Sequence, residues 1–247
     1  MSAKDPTLGS TLSRPSAAPP WLSPAALVRR FELRMLVVAI AIAVALSLAS
    51  PLFLTRANVL TLLDQAAIFG IVAVGMTFVV LTGGIDLSVG SVAGLAGIVL
   101  GLALQHVSVP LACLAAVVVG AGLGLVSGLL VNLFGLAAFV ATLGMMAIGR
   151  SLAFILSGQQ AVGTIPEELR AAFGVTLLGI PLNVLCLLGF YAAAWAYLTY
   201  AKGGRTIYAV GSNREAARAA GLNTLFYSVL PYVLSGGLAA VAACFAV

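Results

Sequence analysis

The chain has 247 residues, 62% of them hydrophobic and only 8% charged, with a formal net charge of +5. Soluble domains carry about 25% charged residues, so this composition excludes an ordinary soluble fold and points to an integral membrane protein. The basic excess does not indicate nucleic-acid binding: the only lysines are Lys4 and Lys202, and the arginines are scattered through short polar segments between apolar blocks, as in a membrane topology signal.

In chain order, Pro6, Pro15, Pro19, Pro20 and Pro24 stand among serines and alanines, which predicts a disordered cytoplasmic tail over 1–34. Arg29, Arg30 and Arg34 lead into the first apolar block. Twin arginines there also fit an export signal, but the further apolar blocks that follow do not fit a secreted soluble protein. A crossing needs about 20 apolar residues. On that criterion spans are predicted near 35–54, 66–82, 87–105, 110–131, 137–156, 177–198 and 225–247, the third with a polar start. The fold class is therefore an all-α polytopic helix bundle of about seven spans, with a transmembrane domain over 35–247.

Orientation follows from where Lys and Arg collect. Lys4, Arg14, Arg29, Arg30 and Arg34 precede the first span, and Lys202, Arg205, Arg214 and Arg218 lie in the 199–224 loop. Both segments are expected on the cytoplasmic side. An even number of spans separates them, so span count and charge agree, and the 157–176 loop with Glu167, Glu168 and Arg170 falls outside.

Within the spans, Gly120, Gly124 and Gly128 recur every four residues, and Gly90 with Gly94 and Gly97 with Gly101 do the same. Small residues in register let helix backbones approach closely. Between the second and third spans runs TGGIDLSVGS, 82–91. Gly83 and Gly84 permit a break there, and Asp86 or Ser88 is positioned to cap the restarted helix. Two readings stay open: a capped turn at the cytoplasmic surface, or a broken or re-entrant helix at 83–90 whose Gly83, Gly84, Asp86, Ser88 and Gly90 line a path.

Arg150 lies well inside an apolar block, where it must pair, snorkel or face water; Asp64 and Asp86 are the acids it could pair with. His106 is the only histidine and has no His, Cys or acid at ligand spacing, and Cys113, Cys186 and Cys244 lie singly in apolar runs. No metal site and no catalytic residue is suggested. The 199–224 loop is the most structured polar segment. Gly203-Gly204 and Gly211-Ser212-Asn213 read as turns, Asn213 as the N-cap of a helix from Arg214 to Ala220, and Gly221 as its C-terminal stop. That helix has a shape suited to docking, with Arg214, Glu215 and Arg218 on one side.

Three stretches together, AVGMTFVVLTGGIDLSVGS, FVATLGMMAIGRSLAFILSG and GRTIYAVGSNREAARAAGLN, resemble the permease subunits of bacterial ABC importers of the ribose and simple-sugar type. The resemblance runs from about residue 50 to the end, and the wider superfamily includes branched-chain amino acid permeases. It implies an inner-membrane permease that works as a homodimer or pseudo-dimer, takes a monosaccharide from a periplasmic sugar-binding protein, and is driven by a cytoplasmic ATP-binding subunit. Gly211, Asn213, Glu215, Ala216, Ala217 and Gly221 match the helix that couples to the ATPase. The chain has no G-x-x-x-x-G-K-[ST], so ATP and magnesium are expected on the partner and no cofactor on this chain. The resemblance also implies further spans after Val247, so the chain is expected to be incomplete. A permease for another small solute, a secondary transporter and a non-transporting membrane subunit remain as alternatives.

Overall fold

The computed structural model describes residues 31–160, 167–177 and 179–246. Most of the expected tail lies outside them. The chain divides into two units, Met1–Val59 and Leu60–Val247. The first contains helix α1 (Phe31–Ala49) and a tight turn in which Asn58 Nδ2 donates to the Phe53 carbonyl at 2.7 Å. Helix α2 (Arg56–Leu81) begins there and continues through the second unit.

The second unit continues with α3 (Val89–Ala103), α4 (Val109–Asn132), α5 (Ala138–Ser157), the short α6 (Glu167–Phe173), a two-plus-two-residue antiparallel hairpin β1 (Thr176–Leu177) and β2 (Ile180–Pro181), α7 (Leu182–Tyr200), α8 (Lys202–Ser212), α9 (Arg214–Ala219) and α10 (Thr224–Ala246). The all-α membrane bundle is as expected. Among the described residues five helices, α2, α4, α5, α7 and α10, are long and apolar enough to cross a membrane, and α1 and α3 are shorter apolar helices.

Three boundaries differ from the sequence reading. Helix α2 starts at Arg56 rather than near 66, because nothing from Arg56 onward breaks a helix and Thr55 Oγ1 accepts from the Asn58 amide at 3.4 Å. That places Asp64 inside the helix rather than at its head. Helix α3 begins only at Val89 and has 15 residues. Gly203 and Gly204, read as a turn, lie inside α8.

The packing hub is α10. Its backbone meets that of α4 along the predicted glycine register: a Cβ at Gly120 would strike the Gly236 carbonyl, at Gly124 the Tyr232 carbonyl, and at Gly128 the Val229 side chain and carbonyl. The two series run in opposite directions, so the helices are antiparallel. Apolar lipid offers helices no gain from leaving water, so this backbone-to-backbone dispersion contact is what holds them together. From α2, Gly75 meets α10 in the same way, at Ser235. A layer of Ala96, Leu100, Ala112, Ala116, Ala240 and Ala243 extends the seam between α3, α4 and α10.

Gly90 and Gly94 behave differently: a Cβ at either would meet nothing within 4 Å. Their spacing does not mark a helix contact, because α3 turns that face toward an open cavity.

Candidate functional site

The glycine pair of TGGIDLSVGS serves two separate purposes. Gly83 has φ +77° and ends α2: its amide donates to the Val80 carbonyl at 2.9 Å, and the Gly84 amide donates to the Val79 carbonyl at 3.0 Å, the double bond of a Schellman stop. Gly84 is required for room, since a Cβ there would collide with the Tyr232 hydroxyl.

Beyond the pair, the chain runs without regular structure to Val89. Asp86 is 2% exposed and Ser88 1%. Asp86 Oδ1 accepts from the Ser88 amide at 3.0 Å and from Ser88 Oγ at 2.6 Å, while Oδ2 accepts from Ser235 Oγ of α10 at 3.0 Å. Neither Asp86 nor Ser88 caps α3 in the expected sense. Ser88 is the N-cap residue but makes no side-chain cap bond, because its hydroxyl is committed to Asp86. The carboxylate instead folds the entry to α3 into an Asx turn and fastens it to another helix.

That fastening sets the depth of the break. Ser235 is the middle residue of the 23 in α10, and Gly75, six residues before the end of α2, also touches it. The chain therefore passes Ser235, ends α2, turns at Gly83 and returns to Ser235 at Asp86. The Gly83 turn thus lies beyond the level of Ser235, toward the end of the bundle, and the residues after it return along α10 to its middle at Asp86.

A second polar cluster sits at the end of the bundle where α2 and α4 finish and α10 begins. Asn213 Oδ1 accepts from the Ala216 amide at 2.9 Å, capping α9 as predicted. Gly221, φ +78°, ends the helix as predicted, with the Leu222 amide donating to the Ala217 carbonyl at 3.1 Å. Ala217 is buried, while Glu215, Ala216 and Arg218 are exposed. Arg214 donates to Asn132 Oδ1 at 3.1 Å and to the Asn132 carbonyl at 3.3 Å. Asn132 Nδ2 donates in turn to the carbonyls of Gly128 at 3.0 Å and Ser228 at 3.1 Å. Arg214 and Asn132 thus join α9 to both α4 and α10. A 470 Å³ depression bordered by Asn132, Gly135, Arg214, Glu215 and Arg218 lies alongside.

Sequence reasoning missed α8. It buries Gly204, Thr206, Ile207 and Val210 against the bundle, and its Gly211 is pressed so closely on the Leu81 carbonyl that a Cβ would overlap it. The helical spacing of Thr206, Ile207 and Val210 carried the signal, but the glycine pair at its start reads more strongly as a turn. Helix α8 thus touches the last residue of α2, immediately before the break.

The remaining candidates lie apart. Asp64 accepts from Asn183 Nδ2 through Oδ1 at 2.7 Å and through its carbonyl at 2.9 Å, tying α2 to the start of α7. Neither Asp64 nor Asp86 is joined to Arg150, which is exposed on α5 and borders a 390 Å³ cavity together with Leu87, Gly90 and Gly94. His106 is exposed in the turn after α3. Cys113 and Cys244 meet in the α4–α10 seam and Cys186 is half-buried on α7.

A multi-helix bundle with an extended segment pinned at its mid-depth, and a capped helix fastened at one end, has the anatomy of a multi-pass membrane transport subunit. A family model described as the permease component of a branched-chain amino acid transport system matches residues 58–247, and the chain belongs to this family. It is 37% identical over 216 residues to the ribose import permease protein of Escherichia coli strain K12, covering 85% of this chain and 67% of that protein. It is 34% identical over 208 residues to the D-allose transport system permease protein of the same organism, covering 83% and 64%. It is 33% identical over 181 residues to the autoinducer 2 import system permease protein of Photorhabdus luminescens, covering 72% and 54%. The chain thus spans between about half and two thirds of the length of these relatives. No solved structure matches it.

Proposed function

We propose that this chain is the membrane-spanning subunit of an ATP-driven importer that carries a monosaccharide or similar polyhydroxylated solute across the inner membrane. The similarity to permeases named for ribose, D-allose and autoinducer 2 supports the solute class. The observation that carries the mechanism is the position of α9: capped by Asn213, stopped by Gly221, fastened through Arg214 to Asn132, and presenting Glu215 beside the 470 Å³ depression. In this reading Gly211, Asn213, Glu215, Ala216, Ala217 and Gly221 build the surface that seats on a cytoplasmic ATP-binding subunit, which binds the ATP and magnesium. A second permease copy and a periplasmic sugar-binding protein complete the assembly.

The motion follows from the connections. ATP-driven closure of the partner subunits displaces α9 and α8. Arg214 and Asn132 pass that displacement to α4 and α10, and Gly211 passes it to the end of α2. Both routes converge on the segment from Gly83 to Gly90, because α10 holds it through Ser235 and α2 leads into it. Helices that meet backbone to backbone along Gly120, Gly124 and Gly128 shift as one body, so the compliant element is the irregular segment. The basic clusters support a cytoplasmic side for the N-terminus, α8 and α9 in this reading. Counting α1, and α3 as a half-span restarted at mid-depth, gives about seven membrane segments.

The test is Glu215→Lys in the complete importer. The variant is expected to insert normally in the membrane, to lose co-purification with the ATP-binding subunit and to lose ATP-dependent ribose uptake. Normal binding and uptake would remove α9 from the coupling role.

A further inference from the structure

Arg150 is a basic side chain at mid-depth in the bundle. Its neighbour Gly149 rests on Ser91, where a Cβ would lie 3.2 Å from Ser91 Oγ. Ser91 Oγ donates to the Ser88 carbonyl at 2.8 Å, and Ser88 is held by Asp86, which is pinned to the middle of α10. A guanidinium at this level is costly against lipid and persists where it meets water or oxygen acceptors. Neither of the two acids expected to pair with it supplies them: Asp86 is committed to Ser88 and Ser235, and Asp64 to Asn183.

What Arg150 does face is the 390 Å³ cavity between α3 and α5, a volume within the range of small-molecule sites, about 300–1,000 Å³. On the other side the wall is Leu87 with Gly90 and Gly94, the two glycines about one turn apart, each with open space where a side chain would begin. Met146 and Ala153 close the α5 side. Ser91, its proton given to the Ser88 carbonyl, still has lone pairs to accept with. A planar donor fork, a hydroxyl acceptor and two glycines that leave room beside Leu87 and Met146 suit a small solute that carries both hydroxyl groups and apolar ring faces. The guanidinium can donate to two adjacent oxygens at once.

We propose that this cavity is a hydrated solute site on the transport path, in which Arg150 donates hydrogen bonds to the hydroxyl oxygens of the sugar in transit. The proposal rests on the importer reading above and adds to it the residue that meets the solute. It also explains why α3 starts so late: beginning the helix at Val89 brings Gly90 and Gly94 level with Arg150.

Two measurements on the complete importer test it. In the first, Gly94→Cys, which the open space accommodates without displacement, is exposed to a charged, membrane-impermeant thiol reagent, with the parent chain's own three cysteines as the blank. Labelling above the blank is expected, and labelling no faster than the blank overturns the hydrated cavity. In the second, ATP-dependent ribose uptake is measured for Arg150→Lys and Arg150→Ala. The alanine variant is expected to lose about tenfold or more, the equivalent of one charge-assisted hydrogen bond, and the lysine variant to retain an intermediate rate, both with normal ATP-binding-subunit assembly. Wild-type uptake by Arg150→Ala overturns the solute contact even if Gly94→Cys is labelled. If the unaltered importer moves no solute of a monosaccharide panel that includes ribose, D-allose and autoinducer 2, the importer reading itself fails, and the solute contact fails with it; the labelling result then still decides whether the cavity is wet.

Discussion

Replacing Asp86 by alanine removes the acceptor for three donors at once: the Ser88 amide, Ser88 Oγ and Ser235 Oγ. The two serine hydroxyls can rotate toward backbone carbonyls, but the Ser88 amide cannot, and a buried donor left unpaired costs about 1–3 kcal/mol. The interhelical bond to Ser235 adds about 0.6–1.7 kcal/mol, the range for side-chain hydrogen bonds inside membrane bundles. Asp86→Ala should therefore destabilise the permease by about 2–5 kcal/mol, the sum of those two ranges after rounding. Asp86→Asn keeps an acceptor for Ser88 and can donate to Ser235 Oγ, so it should cost under about 1 kcal/mol. Denaturant titration of the purified protein in detergent micelles measures these differences. A double-mutant cycle with Ser235→Ala isolates the interhelical bond as a coupling of about 0.6–1.7 kcal/mol. Asp86→Ala within about 0.5 kcal/mol of wild type, or zero coupling to Ser235, would refute the account of Asp86 as the residue that holds the break at mid-depth.

Three further outcomes follow from the packing. Gly124→Val must push α4 away from the Tyr232 backbone and should abolish folded protein in a detergent-extraction assay, whereas Gly122→Val, with nothing within 4 Å of its added Cβ, should be extracted like wild type. Gly211→Val, which forces α8 off Leu81, should leave the helix content seen by circular dichroism unchanged while lowering ATP-driven uptake more than it lowers stability. Asn213→Ala removes the α9 cap and should cost about 1 kcal/mol of local stability, read as faster amide exchange at Ala216 and Ala217, with Asn213→Asp close to wild type.

The local features of the candidate site were legible because they depend on neighbours in the chain. Asn213 caps and Gly221 stops α9 through bonds spanning a few residues, so residue type and spacing suffice. The Gly120, Gly124 and Gly128 stripe was legible for a related reason, since one helix face can be read without knowing its partner. The same logic misread Gly90 and Gly94, which have the identical spacing but face open space: periodicity identifies a face and not what lies opposite. Asp86 shows the converse error. A helix cap was the local expectation, and the residue's second oxygen found Ser235, 149 positions along the chain.

The apolar composition, the blocks of span length, the basic clusters at 1–34 and 199–224, and the capped helix at 214–219 are properties of the chain alone, because partition into lipid and closure of short hydrogen-bonded loops involve no distant residue. The depth of the break, the role of α8, the link from Arg214 through Asn132 to Ser228, and the cavity facing Arg150 were decided only when the helices packed. Each joins residues far apart in sequence, and which of them meet is set by α10 receiving the glycine face of α4, a contact between two surfaces that no single segment encodes.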